Sequence, residues 1–243
     1  MLKMNKILIF LFCINLFLFF GIEKNYAQND TLVYKERYGL SLGADLFKLA
    51  RTGYDDNYSG FEINGDYRLT EDIHLAAEIG NDDFTFEETN LVVQSSGSYI
   101  KLGANKNFYT NWIGMQNMIY GGFRVGLSTY SQNLKQFNFY TSDNTFEPQI
   151  QFIDRDFNNL SAVWTELQFG FRVELIKNVF AGAHVQLKVL VSETDLQNFD
   201  NIYIPGFNIT NDFNSIGAGW GYSIRYLIPF RTKRKTQAVN PGN

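Results

Sequence analysis

From Leu160 to Ser192 the chain alternates apolar and polar residues with a period of two, twice over, around one short turn. Val163, Thr165, Leu167, Phe169, Phe171, Val173 and Leu175 fall on one face of an extended strand. Trp164, Glu166, Gln168, Gly170, Arg172 and Glu174 fall on the other. After Ile176-Lys177-Asn178 the pattern restarts, with Val179, Ala181, Ala183, Val185, Leu187, Val189 and Val191 alternating with Phe180, Gly182, His184, Gln186, Lys188 and Leu190. Successive side chains of a strand point to opposite faces, so this is a long hairpin with one apolar and one polar face. Each arm holds the pattern for about thirteen residues, whereas strands of globular proteins typically run to about five or six. A tilted strand that crosses a bilayer needs about 9–11 residues. The hairpin therefore points to a barrel built from repeats of the same unit.

The rest of the chain carries the same signal. Strands are expected at Tyr38–Phe47, Tyr58–Leu69, Ile73–Phe84, Ser96–Asn107, Met115–Tyr130, the two arms of the hairpin, and Phe213–Phe230. The connections alternate in length. Loops at 48–57, 85–95, 131–159 and 193–212 are long, while those at 70–72, 108–114 and 176–178 are short. Short periplasmic turns and longer outer loops are the rhythm of transmembrane barrels. The fold expected is all-β, an eight-stranded antiparallel up-and-down transmembrane β-barrel occupying residues 38–230. Alternation by itself also fits a secreted β-sandwich. Strand length, loop rhythm, the N-terminal leader and the closing Phe230 together favour the barrel.

Residues 1–27 read as a secretory signal, with Lys3 and Lys6 before the apolar run Ile7–Ile22 and cleavage after Ala27. A polar lead is expected at 28–37 and a basic, disordered tail at 231–243. Beyond the N-terminus no run approaches 18 apolar residues and mean hydropathy is −0.20, which excludes a helical membrane protein. The net charge of −4 gives no electrostatic case for nucleic-acid binding. The only cysteine, Cys13, lies in the leader. The mature chain therefore has neither disulfides nor thiolate chemistry.

Four segments carry a likeness to known proteins: 60–69 (GFEINGDYRL), 76–80 (AAEIG), 97–103 (GSYIKLG) and 109–128, which begins YTNWIGM. They resemble a Bacteroidota family of outer-membrane barrel-like proteins known only as a family of unknown function. The likeness extends over nearly the whole mature chain. It implies a single barrel in the outer membrane and brings no activity and no site residues. The eight-strand layout is also similar to small outer-membrane barrels that serve adhesion, envelope stability or lipid modification.

The polar faces would line the lumen with Asp45, Glu62, Asp66, Arg68, Glu78, Lys101, Arg124, Glu166, Arg172, Glu174, Lys188 and Arg225, together with His74 and His184. Both signs occur in similar numbers. An eight-stranded barrel is only just wide enough to be filled by side chains, so these groups are read as a structural charge network that plugs the lumen. Acid/base catalysis by paired carboxylates is the weaker reading. Glu166, Arg172, Lys188 and Arg225 lie on neighbouring strands and are expected to share partners.

A lipid-modifying barrel would need a nucleophile beside a histidine at the lipid face or rim, and both histidines point inward. A narrow transport channel is a further alternative. The runs Asp55-Asp56-Asn57 and Asn81-Asp82-Asp83 could offer oxygen ligands to calcium. Neither has the spacing of a loop motif, so both are read as solvated turns.

No catalytic, cofactor or metal residues are assigned. The expected location is the cell outer membrane and the expected partners are its lipids. Residues 136–140 and 149–154 alternate on either side of the polar run 141–144. They are expected to carry the longest loop, 131–159, above the membrane as a hairpin open to an extracellular partner.

Overall fold

The computed structural model describes residues 31–111, 115–138, 150–211 and 214–238. The expected leader 1–27, the polar run 141–144 and the chain end 239–243 lie outside them. The chain divides into a large unit, Lys35–Lys233, and a small unit made of the two chain ends, Met1–Tyr34 and Arg234–Asn243. Of the small unit, only strand residues 31–34 and 234–238 are described.

Eight long strands pair in the order β1-β10-β7-β6-β5-β4-β3-β2 and close into a ring. They are β1 (Thr31–Asp45), β2 (Tyr58–Arg68), β3 (Ile73–Glu88), β4 (Leu91–Asn107), β5 (Met118–Asn138), β6 (Ile150–Ile176), β7 (Val179–Glu193) and β10 (Ile216–Ala238). Each sequence neighbour in β2–β7 is also a spatial neighbour and antiparallel, the up-and-down order expected. The central hairpin pairs Trp164 with Leu190 and Gly170 with His184.

The boundaries move in an informative way. The expected loop 85–95 is almost entirely strand, with β3 and β4 paired from Glu88↔Leu91 onward. The stretch 131–159, expected to rise as a hairpin, is strand over its described residues 131–138 and 150–159. β5 and β6 remain paired as far as Gln136↔Phe152 and Asn138↔Ile150, with register shifts on the way. In 85–95 the buried face mixes Val93 with polar Ser95, which blurs the apolar alternation that marks a strand. The expected lead 28–37 already contributes strand from Thr31, and the expected tail 231–243 remains strand up to Ala238.

Two further corrections shape one end of the ring. Phe47 was expected to end the first strand, with a loop over 48–57. Instead β1 stops at Asp45 and a helix, α1 (Leu46–Tyr54), follows. The Asp45 side chain caps it by accepting a hydrogen bond from the Lys48 N–H at 2.9 Å, which satisfies one of the first-turn donors a helix leaves open. Arg51 reaches forward to Asp55 at 2.8 Å. The loop expected at 193–212 contains a small hairpin, β8 (Tyr203–Ile204) and β9 (Asn208–Ile209), turning at Gly206 with φ +81°. A positive φ at that point is what a glycine tolerates best.

Candidate functional site

The ring is polar inside and apolar outside. Lys101 is 1 % exposed, while Phe169 is 58 %, Val185 57 % and Ile63 50 % exposed. Strand parity alone sorts the two sets, since each face takes every second residue.

In the middle of the interior the charges pair across several strands. Lys101 Nζ lies 3.0 Å from Glu62 Oε2 and 2.5 Å from Glu78 Oε2. Arg124 Nε lies 3.2 Å from Glu78 Oε1, and its other nitrogens donate to Asn105 Oδ1 and to the Ala104 and Phe123 carbonyls. Gln168 donates to Glu166 at 2.5 Å and to Glu78 at 3.2 Å. Tyr99 donates its hydroxyl to Glu62 at 2.7 Å. Each charge thus meets an opposite charge or several donors, as a group removed from water must.

Towards the short turns, Asp66 Oδ1 holds both Arg172 and Arg225 at 2.7 Å. Glu174 is gripped by both carboxylate oxygens from Arg37, at 2.6 and 2.7 Å. Arg68 pairs with Glu36 at 3.4 Å. Arg37 and Glu36 belong to the stretch read as a lead, which is why sequence reasoning missed them. Of the four residues expected to share partners, Arg172 and Arg225 do so through Asp66. Glu166 and Lys188 face one another in register, yet Lys188 donates to the Gly206 and Phe207 carbonyls instead, at 2.8 and 3.3 Å.

The two histidines are separate. His74 is buried with Nδ1 unpartnered, and His184 Nε2 lies 2.7 Å from Gln186 Nε2.

Towards the long connections the interior turns apolar. Trp164, wholly buried, packs with Tyr99, Tyr130, Leu160, Ile204 and Phe207. Gly126 faces Trp164 across the strand pair, and a Cβ there would sit 2.1 Å from the indole. The tryptophan needs that glycine. Ile204 and Phe207 come from the β8–β9 hairpin, which therefore folds into the end of the ring.

One residue ties this end together. Asp82 accepts from Lys48 at 2.7 and 2.8 Å, from the Tyr58 hydroxyl at 2.6 Å, from the Gly206 N–H at 3.0 Å and from the Tyr203 hydroxyl at 3.3 Å. Burial, reinforced by the Asp82 carboxylate, raises the Tyr203 hydroxyl pKa well above that of an ordinary tyrosine. The sequence pattern alone places Asp82 in a solvated turn. It lies instead in β3, fully buried, on the same parity as Glu78 and Gly80, and that parity was the available signal. Among the described residues no group of three or more His, Cys, Asp or Glu is placed to hold a metal ion.

Two spaces lie within the ring among the described residues. One of about 250 Å³ lies below α1 and the hairpin, lined in part by Asp45, Lys48, Glu62, Lys188, Gly219 and Trp220. The other, of about 30 Å³, lies near Arg37, His74 and Arg172. The charged layer around Glu78 and Arg124 stands between the levels they occupy.

A family model described as a domain of unknown function, DUF6048, matches residues 3–233. The chain belongs to the DUF6048 family. The match spans nearly the whole chain. It therefore takes in both the paired charges of the DUF6048 interior and the segments that fold into its end. No curated protein matches the chain.

Proposed function

We propose that this chain is an outer-membrane β-barrel with a structural or surface-interaction role, its interior closed by side chains and its location the outer membrane of a Gram-negative cell. The observation that carries this reading is the inversion of ordinary burial. Glu78, Lys101, Arg124 and Glu166 are buried, while Ile63, Ile79, Leu102, Phe169, Val185 and Ile224 stand exposed on the outer face. Soluble monomers rarely expose contiguous apolar patches beyond a few hundred Å². A belt of alternate residues around a closed ring is the surface that lipid requires. Every ring strand is at least as long as a bilayer crossing demands, the shortest being β2 with 11 residues.

The paired extensions of β5 and β6 beyond the apolar stretch support a surface hairpin that could meet an extracellular partner, and the filled interior supports a role without conductance. Fractionation tests the location. The protein is expected in outer membranes, with a folded form that migrates differently on gels before and after boiling. Recovery as a soluble periplasmic protein would overturn the reading.

A further inference from the structure

The ring has a notch near its long-connection end, and the larger internal space lies behind it. β1 pairs with β2 up to Ala44↔Ile63. On its other side, Gly43 lies against Ile224, where an added Cβ would come within 2.3 Å of the Ile224 carbonyl oxygen. β1 then ends at Asp45. The upper part of β10, from Ile216 to Gly221, and residues Tyr58 to Phe61 of β2 therefore extend past the end of β1. Helix α1 fills the notch. Thr52 Oγ1 accepts from the Gly60 N–H at 2.9 Å and donates to the Gly60 carbonyl at 2.9 Å, standing in for a strand partner. On the other flank, the Phe47 ring packs against Trp220 with centroids 4.1 Å apart.

The inward face of β10 behind this notch is Gly217, Gly219 and Gly221. Missing side chains there leave the 250 Å³ space. Two of its lining groups are charged, buried and without an ion pair among the described residues. Lys188, 2 % exposed, faces Glu166 across the β6–β7 pair without an ion pair and hydrogen-bonds only to the Gly206 and Phe207 carbonyls. Asp45, 4 % exposed, uses Oδ1 to cap α1, which leaves Oδ2 beside the His184 ring with no hydrogen bond. The other cations at this site are matched, Lys48 by Asp82, Lys101 by Glu62 and Glu78, and Arg51 by Asp55.

An added Cβ at Gly219 would sit 3.3 Å from Lys188 Nζ, and one at Gly221 would sit 2.5 Å from Asp45 Oδ2. Gly219 and Gly221 are successive inward positions of β10, about 7 Å apart along the strand, so the two charges sit over neighbouring positions of the same space.

We propose that this space binds a zwitterionic head group of the phosphoethanolamine type, its anionic end on Lys188 and its ammonium on Asp45. A buried ammonium and a buried carboxylate without a direct ion pair are each costly. Glu166, the cross-strand neighbour of Lys188, offsets part of that cost for Lys188 without closing an ion pair, and one ligand carrying both opposite charges satisfies both groups directly. The head group could belong to a phospholipid entering through the notch past Phe47 and Trp220, or to a free zwitterion of the same chemistry. The phospholipid route rests on the membrane reading above; the free-zwitterion route does not.

The test is binding to the purified protein in a nonionic detergent, measured by calorimetry. The probes are O-phosphoethanolamine and dihexanoyl phosphatidylethanolamine, with inorganic phosphate and ethanolamine as single-charge controls. At least one zwitterionic probe is expected to bind saturably, with the single-charge controls roughly tenfold weaker or more, the size of losing one charged hydrogen bond. Lys188→Gln, which keeps a donor for the two carbonyls, and Asp45→Asn, which keeps the helix cap, are each expected to weaken binding by about the same factor.

Gly219→Ala is a second line that removes no charge. Its methyl would sit 2.9 Å from Gln186 Oε1 and 3.3 Å from Lys188 Nζ, and it is expected to block the space. Binding of the lipid probe alone, lost in Trp220→Ala, assigns the bilayer as the source. Equal binding of both probes, unaffected by Trp220→Ala, assigns the free zwitterion and leaves the site intact even if fractionation finds a soluble protein. No saturable binding of either zwitterion, binding of phosphate as tight as phosphoethanolamine, or unchanged binding in Gly219→Ala would overturn the proposal.

Discussion

The two ends of the interior solve the same problem in different ways. Towards the short turns, long charged side chains reach across the ring and meet, Arg172 and Arg225 converging on Asp66 and Arg37 on Glu174. Little space is left there. Towards the long connections, glycines replace long side chains on β10, and chain segments come in to fill the end. α1 closes a notch in the sheet, the β8–β9 hairpin delivers Ile204 and Phe207 to an apolar cluster, and Asp82 pins both. The first arrangement is a network of side chains from strands alone. The second is an assembly that depends on connections and keeps a polar space inside. The difference teaches that closure of the ring and closure of its end are separate tasks, and only the second leaves room for a ligand.

The comparison can be broken first in the middle layer. Glu78 holds Lys101 and Arg124 at once, so Glu78→Ala leaves Arg124 without an ion pair and Lys101 with Glu62 alone. A loss of about 3–5 kcal/mol is expected, seen as a lower midpoint in denaturant-unfolding titrations of the detergent-solubilised protein. A change within experimental error would mean that water reaches this layer.

The next effect concerns the outer face. Leu102 is half-exposed on β4, one residue from buried Lys101. In lipid, Leu102→Lys is expected to cost about 2–4 kcal/mol near the bilayer midplane. On a face that meets water, such a substitution would stay within about 0.5 kcal/mol. Folding free energies measured in lipid vesicles separate the two.

Asp82→Asn addresses the capped end. It keeps the shape but weakens the charged hydrogen bonds from Lys48, Tyr58, Tyr203 and Gly206, for an expected loss of about 1.5–3 kcal/mol. The effect should be local. Limited proteolysis is expected to quicken within 46–57 and 194–211 while the strands remain protected. Uniform loss of protection would mean that the two ends are not separable.

What the sequence made legible follows the same division. From Val163 to Leu175 one face is apolar and the other polar, so strand, parity and the inward set could all be read, and Lys101, Glu78 and Arg124 came with them. The β5 and β6 extensions were legible only as the alternating arms 136–140 and 149–154 of a hairpin, because Gln132, Asn133 and Lys135 give no clear period between them and the strands below. α1 escaped because Leu46 continues the alternation of β1, and only the Asp45 cap, a three-dimensional contact, ends the strand. Asp82 escaped because an acid flanked by Asn81 and Asp83 looks like a turn until parity places it beside Glu78. The space near Lys188 depends on where the hairpin lands, and that is set by long-range packing of Phe207 against Gly217 that no local pattern encodes.

The claim that most needs a direct test is that the outer face of the ring meets lipid and the inner face does not. Cys13, in the expected leader, is the only cysteine, so single cysteines for spin labels can be placed at each position from Thr165 to Val173 along β6, with the protein in bilayers. Collision rates with oxygen, which partitions into lipid, and with a water-soluble nickel complex should alternate with a period of two. Oxygen access should be high and nickel access low at Thr165, Leu167, Phe169, Phe171 and Val173, with oxygen access low at Glu166, Gln168, Gly170 and Arg172. High nickel access at Leu167, Phe169 and Phe171, as on a soluble sheet, would contradict it.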